Sequence, residues 1–453
     1  MKSNVENKLT NFIEKLTPLV VGLYVFLVFF GIFGVSKVFG EASKIVTVAK
    51  GVIFVVFFIY LIFACYIKKI NFNRFLVMFL SVTFISALIS ILTAPSSKSI
   101  LSVGRAWIDI ENYYTGWQHK VSVETVTLSF AKRLTAIIDS LLFAACIVIY
   151  GIILPKLLDT RKSISKALFY VSMVVALSAL CCFVLDRSTI INIIKNPTGQ
   201  FALKNGVKSI FTNKNTFGLI LFAGTIAASI STKIDNSNKV RNVLMILVQI
   251  LLFGTTVISL CKTAILLLVI YYFCSLIYKL ITTERLTKKS KIISFAVIGA
   301  LGLVAVIFVF VPSFAAMFGS KIVAIQQKIY FLFVNYGAET IGSRTEAWAA
   351  VFQTVNGESI FFGLGDKIYE EYYAASTNAV KFWGILPYHS THNSLLAIYL
   401  QGGLIRLLSY VALIVYLYRV VIKTMKKDSK TSFYLLLVLV IFTMYSMVEA
   451  ILF

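Results

Sequence analysis

The chain has 453 residues, of which 59% are hydrophobic and only 14% are charged, and its formal net charge is +24. Soluble domains are roughly 45–50% apolar and about 25% charged, so this composition excludes an ordinary soluble protein. Many apolar runs of about 18–25 residues predict a polytopic membrane protein instead, and lipid requires such runs to be helical.

We predict an all-α fold with about 11 or 12 transmembrane helices in a single integral membrane domain, 1–453. The first span begins near Pro18 and is expected to stay uncleaved, because no small-residue cleavage site follows it. One missed short segment would give the twelfth span. The eleven predicted spans are 18–36, 51–67, 74–93, 134–154, 166–185, 214–231, 242–260, 262–279, 292–312, 394–418 and 431–452.

The basic residues indicate the orientation. With the N-terminus in the cytoplasm, the short inside segments carry 23 of the 43 Lys and Arg residues but six of the 19 acidic residues. This distribution follows the positive-inside rule, so the positive charge reflects topology and lipid headgroup contact. It argues against nucleic-acid binding. The six cysteines lie in or beside apolar runs without a CxxC pair, and there is no HExxH motif, so no metal site is predicted.

A large extracytoplasmic loop, 313–393, lies between the ninth and tenth predicted spans. At about 80 residues it is far longer than an ordinary connection, and such loops usually carry function or their own structure. Within it, residues 343–355 have the spacing of a helix, with Ser343 as a possible N-cap. The glycines of the run FFGLGD at 361–366 are expected to end that helical stretch.

The nearly continuous apolar run 242–279 would be about 57 Å long as one helix, whereas a bilayer core is about 30 Å thick. It must therefore be two spans, with a tight reversal near Ser259–Thr263 that brings Lys262 to the outer face. Lys262 either marks the turn as a snorkelling lysine or directs a cation at a phosphate. Thr212, Asn213, Lys214 and Asn215 open the preceding outer face, where the Asn and Thr side chains can cap the sixth span or donate hydrogen bonds to phosphate or sugar.

Arg344 in the loop can hold a phosphate through two parallel hydrogen bonds, or pair with Glu346 or Glu358. Gly363 and Gly365 permit unusual backbone angles or close approach of a ligand, although a lone GxG is weak evidence.

Arg406 lies roughly 18 Å deep in its span, where a charge is costly and often functional. It either pairs with Glu449 or belongs to a substrate site. His392, beside Asn393, is the candidate base, since imidazole is well suited to accept a proton at neutral pH. A structural hydrogen bond is the alternative role, and His389 is the competing histidine.

These elements in order resemble the O-antigen ligase and polysaccharide polymerase family. The elements are TNKNTFG (212–218), ISLCKTA (258–264), SRTEAW (343–348), FFGLGD (361–366) and His392-Asn393 followed by Gly402-Gly403. The resemblance covers about 205–420. Two departures from the family pattern are Lys262, where the family has an arginine, and Arg406, where it has a glycine.

The resemblance implies a bundle of the C-type glycosyltransferase kind in the cytoplasmic membrane, with its active site facing outward. It implies metal-independent, inverting transfer from an undecaprenyl-diphosphate-linked oligosaccharide to an acceptor hydroxyl, without a cofactor. Lys262, Arg344 and Lys214 would bind the diphosphate and His392 would be the base. Trp348 is among the aromatic residues that can stack sugars or anchor the loop at the membrane surface.

The acceptor remains open between two enzymes. A polymerase joins lipid-linked repeat units of a surface polysaccharide and can work with a chain-length regulator, whereas a ligase transfers the glycan to lipid A core or another acceptor. We favour the polymerase, because the Lys-, Ile-, Phe- and Asn-rich composition is typical of AT-rich genomes. The alternatives of other classes are a flippase or transporter of lipid-linked saccharide, which Arg406 favours, and a structural membrane scaffold.

Overall fold

The computed structural model is mainly helical, which confirms the predicted all-α membrane fold. The structure describes residues 2–40, 44–70, 74–94, 96–110, 114–195, 206–211, 213–235, 237–284, 287–317, 319–330, 348–349, 351–352, 354–355, 357, 359–365, 368, 391 and 393–448.

The first part of the chain contains eight helices and one hairpin among its described residues. Two π-helical segments, Leu27–Gly34 and Ile149–Ile153, connect consecutive helices without a loop. In chain order the elements are α1 (Lys2–Phe26), α2 (Val35–Phe39), α3 (Lys44–Lys68), α4 (Arg74–Thr93), β1 (Ser97–Ile110), β2 (Tyr114–Thr127), α5 (Phe130–Val148), α6 (Leu154–Leu157), α7 (Arg161–Leu185) and α8 (Arg187–Lys195).

The remaining described helices are long, except for short ones within the predicted outer loop. They are α9 (Lys214–Ile234), α10 (Lys239–Ser259), α11 (Lys262–Thr282), α12 (Lys288–Phe310), α13 (Pro312–Ala316), α14 (Ser320–Tyr330), α15 (Ser359–Phe362), α16 (Ser394–Thr424) and α17 (Ser429–Val448).

Nine helical segments in the described part of the chain are long and apolar enough to cross a membrane. They correspond to nine of the eleven predicted spans. The other two predicted spans, 74–93 and 134–154, correspond to the helices α4 and α5. Among the described residues, neither helix is long and apolar enough to be counted as a membrane span. The apolar part of α4 is Val77–Thr93. The chain is therefore an integral membrane protein.

The segment 94–133 contains an antiparallel hairpin that was not expected from the sequence. Strands β1 and β2 pair over 14 residues each, from Ser97 opposite Thr127 to Ile110 opposite Tyr114. The available signal was the run VSVETVT, rich in the β-branched residues that favour strands.

The chain divides into two compact units. The first unit contains 1–70, 153–337 and 428–438, and the second contains 71–152, 338–427 and 439–453. The core of the first unit packs α7, α9 and α10 around the Phe211–Phe217 ring stack, whose centroids are 5.7 Å apart. The prediction of one integral membrane domain stays a prediction.

Small residues let helices approach closely in the first unit. Gly224 of α9 faces Val175 of α7, where an added Cβ would lie 2.7 Å from Cγ1 of the valine. Ser165 of α7 donates a 2.9 Å hydrogen bond to the Ser231 carbonyl on α9. Close packing and interhelical hydrogen bonds of this type are what associate helices in lipid, where the hydrophobic effect gives no help.

The core of the second unit is apolar and joins α4 and α5 to the predicted loop. Val351 and Val355 are buried there beside Ile91, Leu364 and Leu400. The described residues from Trp348 to Thr354 are helical, and the Val355 N–H donates to the Val351 carbonyl. This supports the helical spacing predicted for 343–355, whose proposed cap Ser343 lies outside the described residues.

Helix α16 is broken at Gly403, whose backbone angles are φ 62° and ψ −160°. A break leaves the last carbonyls of the preceding helical segment without their usual partners. Two of them are satisfied by the glycine turn at 363–365: Leu364 N–H donates to the Leu400 carbonyl at 2.7 Å, and Gly365 N–H donates to the Gln401 carbonyl at 2.9 Å. The turn therefore acts as a backbone cap inside the protein.

We predict that Gly403→Ala destabilises the second unit strongly. The alanine Cβ would collide with the Phe361 backbone and lie 2.6 Å from Gly363 N, at a backbone conformation that essentially only glycine adopts. We expect the free energy of unfolding to fall by at least about 2 kcal/mol, measured by thermal or denaturant unfolding in detergent.

The matched control is Gly254→Ala in α10, where an added Cβ meets nothing within 4 Å. Alanine is the better helix former, so this variant is expected to be about as stable as the parent or slightly more stable. Equal stability of Gly403→Ala and Gly254→Ala would contradict the capping role of the turn.

Candidate functional site

The predicted reversal between the two spans of 242–279 is confirmed. Helix α10 ends at Ser259 and α11 begins at Lys262, with Leu260 and Cys261 between them. Leu260 takes the left-handed conformation, with φ 56°, which allows the chain to reverse within two residues. Lys262 is thereby fixed as the first residue of α11.

Gly218 on α9 lets the α10–α11 reversal pack closely against α9. An added Cβ on Gly218 would collide with Cys261, coming 2.7 Å from its Sγ atom. Cys261 is 2% exposed, so its thiol occupies the space that the missing side chain leaves. Because Gly218 lies one turn after Lys214, Lys214 and Lys262 lie at the same end of the adjacent helices α9 and α11.

The segment before α9 is held by several hydrogen bonds. One carboxylate oxygen of Asp186 accepts from Lys208 N–H at 2.8 Å and from Ser209 N–H at 2.5 Å. Ser209 Oγ donates to the Ser178 carbonyl at 2.6 Å, and the Lys37 ammonium donates to the Ser209 carbonyl. These contacts fix the path of the chain as it enters α9.

Gly206 lies between the end of α10 and the start of α9. An added Cβ there would meet the Ser259 carbonyl and would lie 3.0 Å from Cδ of Lys214. Its φ of +36° is also unfavourable for other residues. The stem of Lys214 is therefore close to the α10–α11 reversal.

Asn213 caps α9 as the sequence predicted. Its side-chain oxygen accepts the Asn215 N–H at 2.8 Å, and Thr212 lies outside the described residues. Lys214 and Asn215 are both half-buried, and Lys262 is half-buried at the start of α11. Helix N-termini carry partial positive charge, so the first unit presents two of them together, each with a lysine. We call Lys214, Asn215 and Lys262 the cation corner.

The second unit fixes the residues on each side of His392. Trp348 Nε1 donates a 2.8 Å hydrogen bond to the carbonyl of Thr391, which is 1% exposed. Asn393 is the N-cap of α16, and its side-chain oxygen accepts from Leu395 N–H at 2.9 Å and Leu396 N–H at 3.2 Å. The chain is thus anchored directly before and directly after position 392.

The turn glycines at 363 and 365 have structural reasons for being glycine. Gly363 has φ 73°, and an added Cβ would lie 2.5 Å from the backbone nitrogens of Gly402 and Gly403. Gly365 has φ 86°, and an added Cβ there would lie 3.0 Å from Cγ1 of Ile91. The close approach predicted at this GxG is therefore made by the protein's own backbone.

Arg406 is 3% exposed and follows the break in α16. Its side chain lies over Gly402, because an added Cβ there would be 2.5 Å from Cβ of Arg406. The amide oxygen of the neighbouring Gln401 is buried and, among the described residues, has no hydrogen-bond partner. The suggested partner of Arg406, Glu449, lies outside the described residues, so both alternatives for Arg406 stay predictions.

Three further site predictions also fall outside the described residues: His392, His389 and Arg344. Lys262, Lys214 and Asn215 lie together in the first unit, and Trp348, Gly363, Gly365, Asn393 and Arg406 all belong to the second. Among the described residues, no group of three or more His, Cys, Asp and Glu side chains is placed to hold a metal ion.

Sequence reasoning missed the contacts that organise these residues. The Trp348–Thr391 hydrogen bond and the Gly218–Cys261 contact each join positions more than 40 residues apart. The available signals were weak: a tryptophan at helical spacing from buried valines, and a glycine one turn after a capped helix start.

Comparison with known proteins gave a family match. Residues 247–411 match the family model Wzy_C, described as O-antigen ligase. The matched segment begins within α10 and continues into α16, and therefore includes the α10–α11 reversal, the large loop and position 392. No curated protein and no solved structure matched the chain.

We predict that Trp348→Phe weakens the anchor before position 392. Phenylalanine keeps the ring but cannot donate to the buried Thr391 carbonyl, which would cost about 1 kcal/mol of stability. Thermal unfolding in detergent measures this loss. The control is Phe352→Leu, which changes a 62% exposed ring nearby without removing a hydrogen bond and is expected to change stability by less than about 0.5 kcal/mol.

Proposed function

We propose that this chain transfers sugars from an undecaprenyl-diphosphate-linked oligosaccharide to an acceptor hydroxyl, because residues 247–411 match the O-antigen ligase family, a family of membrane glycosyltransferase-type enzymes. The active site would face the outer side of the cytoplasmic membrane. The cation corner is the structural observation that supports this proposal most directly, because a diphosphate leaving group needs fixed positive charge.

The leaving diphosphate gains negative charge as the bond to the anomeric carbon breaks. Fixed donors and cations near that charge stabilise the transition state without rearranging during the reaction. The amino ends of α9 and α11 supply oriented backbone N–H groups, and Lys214 and Lys262 supply full charges beside them. Arg344, just ahead of Trp348 in the loop, is proposed as a third cation, and the reaction is proposed to need no metal.

His392 is proposed as the general base. Its neutral imidazole would accept the proton of the acceptor hydroxyl while that oxygen attacks the anomeric carbon. The bond to the diphosphate oxygen breaks as the new glycosidic bond forms, and attack from the opposite face inverts the anomeric centre. The anchors at Thr391 and Asn393 support this role, because a base must be held at a fixed position to be effective.

The remaining candidate residues are assigned by what they contact. Asn215 lies at the amino end of α9 and is proposed to hydrogen-bond phosphate or sugar. Trp348 is proposed mainly as a positioning residue, because its indole N–H already binds the Thr391 carbonyl. Gly363, Gly365 and Asn393 would position the α16 segment, and His389 stays an alternative base.

We propose polymerisation of repeat units of a surface polysaccharide as the reaction, with ligation to lipid A core or another acceptor as the alternative. The two reactions differ in their acceptor, since a polymerase uses a second lipid-linked glycan and a ligase uses lipid A core or another acceptor. A chain-length regulator would be a further partner of the polymerase.

The transporter alternative draws on the broken helix α16, since transporters often bind ions or substrates at such breaks. Here the glycine turn occupies the carbonyls of Leu400 and Gln401. Both carbonyls already have hydrogen-bond partners within the protein, which supports a structural role for the break and the enzyme as the better proposal.

The decisive experiment incubates the purified protein with an undecaprenyl-diphosphate-linked repeat unit in the presence of EDTA. A ladder of longer glycans on a gel is expected for a polymerase. A product that forms only after a separate acceptor is added would indicate the ligase, and a requirement for divalent cations would contradict the metal-independent mechanism.

We predict that His392→Ala reduces transfer by about 10²–10⁴-fold while the protein still folds, because it removes the proposed base. The rate of product formation under saturating substrate measures this effect. His389→Ala is the matched control and is expected to retain most activity. If the two variants exchange these outcomes, His389 is the base instead.

We predict that Lys262→Arg retains more transfer activity than Lys262→Ala, because the positive charge at the start of α11 is the required property. The ratio of kcat/KM between the two variants measures this, with unfolding midpoints recorded for both. Equal losses in the two variants would indicate that Lys262 acts in packing at the reversal.

A further inference from the structure

A second basic site lies at the opposite end of α9, away from the cation corner. A small open cleft lies there between the last turn of α9 and the first turns of α17, all within the first unit. Lys233 and Lys430 line it together with Tyr434, and Ile230, Ile234 and Leu435 form its apolar wall. We call this feature the lysine cleft.

Lys233 is held in place by aromatic residues. Its Nζ atom lies 3.7 Å from the centre of the Tyr434 ring and donates a 3.2 Å hydrogen bond to the Tyr271 hydroxyl. Tyr271 is fully buried and donates in turn to Ser229 Oγ at 3.0 Å. The cation–π contact stabilises the ammonium group but leaves its charge uncompensated.

No acidic residue occurs among the described residues that line the lysine cleft. The two carboxylates nearest in sequence are already engaged by arginines: Asp235 lies 3.1 Å from Arg241, and Asp428 lies 2.6 Å from Arg161. Hydrogen bonds from Thr431 also hold the pKa of the Asp428 carboxyl below its ordinary value. Two lysines therefore share one cleft without a carboxylate partner there.

The cleft combines the half-buried Lys233 with the exposed Lys430, so an anion that enters it would interact favourably with both positive charges. The apolar wall argues for an anion that carries hydrocarbon, because free phosphate gains nothing from Ile230, Ile234 and Leu435. The cleft also lies at the ends of two helices long and apolar enough to span a membrane, where lipid headgroups are located. Basic pockets between helices at this depth suit lipid phosphate groups.

We propose that the lysine cleft binds the phosphate group of an anionic phospholipid, with Lys233 and Lys430 as its ligands and the apolar wall beside the start of the acyl chains. This site is separate from the cation corner, because Lys214 and Lys233 are at opposite ends of α9, a helix of 21 residues that is about 30 Å long. In the proposed orientation it faces the cytoplasmic leaflet.

The test measures lipid binding to the purified full chain by native mass spectrometry and by thermal shift. The probes are phosphatidylglycerol, phosphatidylcholine and inorganic phosphate at matched concentrations. We expect preferential binding of phosphatidylglycerol, with a raised unfolding temperature. Lys430→Gln and Lys233→Gln are each expected to weaken that binding about fivefold, since a lysine near a lipid surface contributes on that order.

Lys427→Gln is the matched control, because Lys427 is exposed, three residues before Lys430, and does not line the cleft. Lys430 is exposed, so its variant is expected to fold even if Lys233→Gln does not. Unchanged phosphatidylglycerol binding in Lys430→Gln, or equal binding of phosphatidylcholine, would overturn the proposal. If inorganic phosphate binds as tightly as phosphatidylglycerol, the ligand of the cleft is free phosphate and the lipid proposal is wrong.

Discussion

The absence of water from the bilayer core is the constraint on which the rest of this structure depends. Backbone N–H and C=O groups there must be satisfied within the protein, so the part of the chain that the structure describes is mainly helical. Wherever a helix stops, some other part of the protein must supply the missing partners. The glycine turn at 363–365 does this for α16, where its N–H groups bind the Leu400 and Gln401 carbonyls.

Both candidate site regions have the same local feature, a capped helix start close to a residue proposed to act in the site. In the first unit, Asn213 caps α9 beside Lys214, and the contact between Gly218 and Cys261 brings the start of α11 alongside. In the second unit, Asn393 caps α16 directly after position 392. A helix start offers oriented N–H groups and a rigid position, which suits both anion binding and the placement of a base.

The sequence was most informative where local chemistry decides the structure. The length of the run 242–279 required a reversal, and the left-handed Leu260 provides it. Asn213 was expected to cap a helix, and it does. Val351 and Val355 were expected on one helical face, and both are buried. These predictions depend only on neighbours within a few residues or on the thickness of a bilayer.

The features that sequence reasoning missed depend on contacts between distant segments. The sequence showed Gly402 and Gly403 only as glycines within a predicted span. The break in α16 at Gly403 could not be predicted from them, because the turn that caps the break lies nearly 40 residues earlier in the chain. The indole of Trp348 was considered for sugar stacking or membrane anchoring, whereas it binds the Thr391 carbonyl. Strand β1 was not predicted, because its strand conformation depends on hydrogen bonds to β2, which follows it in the chain.

The position of Cys261 has a practical consequence for observing this molecule in motion. Its thiol is 2% exposed and enclosed by Gly218, whereas Cys65, Cys181 and Cys274 are only partly buried. A thiol-reactive probe can reach Cys261 only when α9 separates from the α10–α11 reversal. The alkylation rate of Cys261, compared with the rates of the other three cysteines, therefore measures how often the cation corner with Lys214 and Lys262 opens locally.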